Sequence, residues 1–132
     1  LIFYLNLIES FDKCILITEP DRDNPIVHEL EKIDKVQIQS STVADDFALL
    51  MNAANVALSG VGTFAMAAAL CSSKIKNLYT TDLLLTEHLN YTMLHNTDVE
   101  VNVMELGEDY LPVFPCSWMN TEEQRKFIIE YR

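Results

Sequence analysis

The sequence predicts an α/β fold, a Rossmann-like parallel sheet with flanking helices. Three observations support that reading. Short apolar, β-branched runs alternate with helical segments along the whole chain. The connections between runs are too long for hairpins, as parallel crossovers require. One strand-to-helix turn carries two glycines and two hydroxyls, a pattern suited to the carboxyl end of a parallel strand.

The elements follow in order. Residues 1–12 read as a helix, apolar but broken by Asn6 and Glu9. Cys14-Ile15-Leu16-Ile17-Thr18 is a β-branched run suited to a strand buried on both faces. Glu19 to Asn24 is a loop, and Asn24-Pro25 starts a helix that continues to about Lys32. Val36–Gln39 is the second strand. Ser41 or Thr42 caps a helix reaching about Asn52, with Asp45 and Asp46 at the positive end of its dipole. Residues 55–59 form the third strand, Thr63–Cys71 a small-residue helix, and residues 76–79 a fourth strand. Residues 82–90 read as helix and 98–104, alternating with period 2, as a strand or extended edge. Residues 107–117 are irregular, with Pro112 and Pro115. Asn120 or Thr121 caps a final helix over 122–132. The four strands from residue 14 to residue 79 are expected to be neighbours in one sheet.

Length and composition narrow the function. A chain of 132 residues forms one domain at most, and 49% apolar residues suffice for a core. Twenty acids against nine bases give a net charge of −11. Such a surface repels nucleic acid and anionic membranes. The opening segment is too short to span a membrane and lacks the features of a signal peptide. The chain reads as the C-terminal piece of something longer. Cys14, Cys71 and Cys116 share no metal or redox spacing, and Cys14 and Cys71 read as core residues. His28, His88 and His95 have no metal spacing either, so no metal site and no cofactor are expected. Asn90-Tyr91-Thr92 is a glycosylation sequon, relevant only to a secretory protein. Trp118 reads as a packing anchor ahead of the last helix.

Three polar segments fall at carboxyl ends of strands: Thr18 to Asp23, Ser59 to Phe64, and Thr80 to Asp82. Ser59-Gly60-Val61-Gly62-Thr63-Phe64 admits two readings. In one, the N–H groups of Gly62, Thr63 and Phe64 hold a diphosphate, the Ser59 and Thr63 hydroxyls add donors, and glycine permits close approach. In the other it is a tight connection, with Thr63 as helix cap. It is not a P-loop, since Gly-Lys-Ser/Thr is absent. The dinucleotide fingerprint fails too, because Ala65 stands where its third glycine belongs. No Gly-x-Ser-x-Gly supports a serine nucleophile. Asp45 and Asp46 either serve their own helix or offer a carboxylate to a base or ribose.

Taken together, Thr18-Glu19-Pro20-Asp21, then Asp46-Phe47-Ala48-Leu49-Leu50-Met51-Asn52-Ala53, then the Ser59 to Phe64 turn resemble the C-terminal half of GDP-fucose-dependent fucosyltransferases. The α-1,2/α-1,6 superfamily is the most similar in pattern, over roughly residues 1–80. The resemblance implies half of a GT-B glycosyltransferase that moves fucose, or another sugar, from a nucleotide diphosphate to a glycan acceptor. It implies that Asp46 reads guanine, that the turn holds the diphosphate, and that Thr18 and Asp21 line the same crevice. No metal acts at the diphosphate in that family; backbone donors and a cation do that work. Two departures stand out. Ala65-Met66-Ala67-Ala68 replaces the aromatics usual in the α-1,2 branch, which leaves linkage and acceptor open. The family's arginine motif lies upstream, and Arg22, Arg125 and Arg132 do not match it. Without that cation and an acceptor domain, this segment alone is expected not to transfer sugar. The location implied is the Golgi lumen for a eukaryotic enzyme and the cytoplasm otherwise. The rival reading is a non-catalytic α/β module whose acidic surface meets a protein partner.

Overall fold

The structure is a computed structural model that describes residues 1–21, 23–58, 62–82, 94, 96, 98–106 and 119–131. Ser59, Gly60, Val61, Trp118, His88, His95, Cys116 and the sequon at Asn90 lie outside the described residues. So do the expected helix beyond Asp82 and the irregular segment 107–117. The chain divides into two compact units. One comprises Leu1–Ser41 with Gly107–Arg132, the other Thr42–Leu106.

The first unit is a βαβ arrangement with two further helices. Helix α1 (Ile2–Glu9) precedes β1 (Cys14–Ile17), α2 (Pro25–Leu30) and β2 (Val36–Gln39). β1 and β2 pair in parallel, Cys14 opposite Val36 and Ile17 opposite Gln39. α2 begins as its sequence dictates. The Asn24 side chain accepts from the Ile26 N–H at 3.0 Å, and Pro25 fills the first position, where no N–H is needed. α1 ends differently, since no basic residue lies in its last turn. Lys35 supplies that charge from a distance, donating to the Phe11 carbonyl at 2.9 Å and the Glu9 carbonyl at 3.5 Å. Phe3, Ile8, Val27 and Leu30 are buried, as is Ile128 of the closing helix α5 (Glu122–Glu130). α5 packs on α2.

The second unit holds α3 (Val43–Asn52), β3 (Asn55–Ala57), α4 (Thr63–Cys71), β4 (Asn77–Thr81) and β5 (Glu100–Met104). The sheet order is β3-β4-β5, parallel throughout. Val56, Leu58, Met66, Ala69, Ile75, Leu78 and Leu94 form the core. Burying each large side chain among them is worth ~1.5–3 kcal/mol. A hydroxyl joins the two helices at their carboxyl ends. Ser72, 1% exposed, donates to the Met51 carbonyl at 2.6 Å and accepts from the Lys74 and Ile75 N–H groups. At the far end of the sheet, Asp82 accepts from the Leu106 N–H at 3.1 Å, tying the exits of β4 and β5 together.

The parallel α/β class is as the sequence predicts, but two of its details are corrected. The strands form two sheets, of two and three strands, in place of the single expected run of neighbours. Apolar runs identify strands without identifying partners, and β3 takes its partner from β4, where the Leu58 N–H continues the pairing to the Tyr79 carbonyl. β1 is not buried on both faces, since Ile15 is 46% exposed. Neither described cysteine is a core residue: Cys71 is exposed at the last position of α4 and Cys14 is only half-buried. α4 is apolar or small at almost every position, so its sequence carries no signal of which face meets solvent.

Candidate functional site

The second unit brings the beginnings of α3 and α4 together. α3 ends at Asn52, turns through Ala53, and β3 runs back from Asn55, so a helix start and a strand end share one side of the unit. The Phe47 ring, in the second turn of α3, meets the Phe64 ring in the first turn of α4. Their centroids lie 5.6 Å apart at 65°, an edge-to-face pair. Phe64 remains 39% exposed.

The two helix starts are finished differently. At α3, the Thr42 hydroxyl accepts from the Asp45 N–H at 3.2 Å and donates to the Asp45 carboxylate at 2.8 Å. The Thr42 side chain thus caps the helix, and the Asp45 carboxylate holds the capping hydroxyl in place. Asp45 therefore serves its own helix. Asp46 does something else: it is the only residue of α3 that is fully buried, 6% exposed, among neighbours such as Val43 and Leu49 that face solvent.

At α4 the cap is Gly62, not Thr63, and no side chain caps the helix. Among the described residues, nothing accepts from the Thr63 and Phe64 N–H groups. Gly62 has φ −93° and ψ 134°, an extended conformation open to any residue. A β-carbon placed there meets no atom within 4 Å. The backbone itself does not require glycine here, and there is room for a side chain at this position. N–H groups without a described acceptor, at the positive end of a helix dipole, are the kind that attract an anion.

Thr18 and Asp21 belong to the first unit. Thr18 follows β1, and its N–H extends the ladder to the Gln39 carbonyl at 3.1 Å. Asp21 is exposed, and its carboxylate accepts from the Asp23 N–H at 3.3 Å, a local turn bond. The structure thus joins the surroundings of Asp46 to Gly62, Thr63 and Phe64, and places Thr18 and Asp21 in the other unit. Phe47 is the contributor that sequence reasoning passed over. Its signal was its place directly after Asp46, on the helix leading to the turn.

Among the described residues, no group of three or more His, Cys, Asp or Glu is placed to hold a metal ion. No described helix is long and apolar enough to cross a membrane. Compared with known proteins, the chain matches no family model, no curated protein and no solved structure.

Proposed function

We propose that this chain is the donor-binding part of a glycosyltransferase, Rossmann-like and of the GT-B type, that takes a nucleotide diphosphate sugar, GDP-fucose by resemblance, for transfer to a glycan. The observation that carries the reading is the start of α4. Its cap is extended and without a side-chain partner, a side chain at Gly62 would meet no atom within 4 Å, and it adjoins the acidic start of α3 through Phe47 and Phe64. Backbone N–H groups there would hold the diphosphate oxygens, with the helix dipole supplying a positive field despite a net charge of −11. Asp46 lies one residue from the aromatic pair and is the carboxylate assigned to the base. Guanine offers adjacent N–H donors that match a carboxylate, and uracil does not.

Calorimetric titration of GDP and UDP into the full-length protein tests this. Saturable GDP binding, tighter than UDP binding, is the expected result. A folded protein that binds neither nucleotide would leave the turn a simple connection between β3 and α4.

A further inference from the structure

Arg125 matched no motif in the sequence, yet the structure gives it unusual treatment. It sits in the first turn of α5, where a cation opposes the helix dipole. The helix start does not need it: Thr121 accepts from the Gln124 N–H, and the Gln124 side chain accepts from the Met119 N–H. Arg125 is held in place all the same. Its Nη1 donates to the Asn120 side-chain oxygen at 2.7 Å and lies 3.5 Å from an Asp23 carboxylate oxygen. The Asn120 amide nitrogen in turn donates to the other Asp23 oxygen at 2.9 Å. Asn120 adopts φ 55°, the only positive φ among the described non-glycine residues. Its left-handed backbone directs the amide between the two charged partners. All three residues belong to the first unit, and Asp23 ends the loop that leaves β1.

Both contacts use Nη1. Among the described residues, no acceptor meets Nε or Nη2, although the side chain is only 29% exposed. The chain carries 20 acidic residues, and none of those described occupies that edge. A guanidinium held through Nη1, with no described partner at Nε and Nη2, presents two parallel N–H donors, the geometry that a carboxylate or phosphate accepts in bidentate fashion. We propose that Arg125, oriented by Asn120 and Asp23, is an oxyanion receptor beside the β1 exit loop, binding a carboxylate or phosphate group through Nε and Nη2. It is independent of the α4 site, and neither proposal needs the other.

The test follows the Arg125 Nε–Hε resonance of the intact protein while inorganic phosphate, and separately acetate, is titrated in at constant ionic strength. A saturable shift of this signal is expected. Arg125→Lys keeps the charge and its attraction to Asp23 but loses the fork, so affinity should fall at least about tenfold at an unchanged melting temperature. Asn120→Gly suits a positive φ, removes the orienting amide, and should weaken binding in the same direction. A shift with phosphate alone identifies a phosphate ligand. One with acetate, equal or stronger, identifies a carboxylate. No saturable shift with either anion would overturn the proposal, as would equal affinity in Arg125→Lys.

Discussion

Gly62→Asp separates the two possible roles of the α4 start. The φ and ψ of Gly62 suit an N-cap aspartate, and its β-carbon would enter open space. The new carboxylate would accept from the N–H of Phe64 or Ala65. Relative to glycine, an aspartate cap contributes a few tenths of a kcal/mol, and its charge against the helix dipole adds about 0.3–1 kcal/mol. Removing a glycine also restricts the unfolded chain, worth about 0.4–1 kcal/mol where the native conformation is compatible. The variant should be stabilised by about 1–2 kcal/mol, a rise in melting temperature of roughly 3–8 °C by thermal scanning. Binding should move the opposite way. The carboxylate would occupy the N–H groups meant for the diphosphate and repel its charge. Losing even one hydrogen bond to a charged group costs about 1.5–3 kcal/mol, so GDP affinity by calorimetry should drop by at least about tenfold. Gly62→Ala is the companion. It adds a methyl group without a cap or a charge; the restricted unfolded chain and alanine's poorer standing at an N-cap offset each other, so stability should hardly change while a closely approaching phosphate is pushed away. A Gly62→Asp protein that melts higher yet binds GDP as tightly as wild type would refute the assignment of the diphosphate to this turn. One that melts lower would refute the cap geometry itself.

Four further outcomes are expected. Asp46→Asn should weaken GDP by about 1–3 kcal/mol while changing UDP little, measured by calorimetry beside a thermal scan because Asp46 is buried. Ser72→Ala should destabilise the second unit by about 2–3 kcal/mol in urea titration, since one hydroxyl serves the Met51 carbonyl and two N–H groups that lose their partner together. Burial raises the Cys14 thiol above its ordinary pKa, and the nearby Lys35 charge only partly offsets this. Cys14 should therefore alkylate more slowly than exposed Cys71 near pH 8, read by peptide mass spectrometry. Because the unfolded thiol ionises first, this contribution to stability is complete below the ordinary thiol pKa. It is lost as pH rises through the folded value, and Cys14→Ser should remove that alkaline slope.

Much of this architecture is written locally. Asn24-Pro25, Thr42 with Asp45, and Thr121 with Gln124 set three helix starts, because a cap needs only residues within one turn. Val36–Gln39 and Thr63–Cys71 were legible to the residue, and the parallel sense followed from crossovers too long for hairpins. Partner choice was not legible. Nothing in an apolar run states which strand it joins, so the division into β1-β2 and β3-β4-β5 belongs to the tertiary structure. So does exposure in α4, where a helix of alanines has no face of its own and packing alone turned Cys71 outward.

The same boundary runs through the candidate sites. The glycine turn and the acidic helix start could be paired from their spacing. That Gly62 is extended rather than left-handed, and that Phe47 joins Phe64, required coordinates, because backbone angles and ring contacts depend on atoms distant in sequence. Asp45 and Asp46 look alike as neighbours in the chain. One step along the helix turns them 100° apart, leaving Asp45 beside its Thr42 cap and Asp46 buried. Arg125 was visible only as an arginine that fitted no motif. Its orientation comes from Asp23, about a hundred residues earlier, and from an asparagine with a left-handed backbone that bonds to both. Sequence fixes what a residue can do within its own turn; the fold decides which distant group it meets.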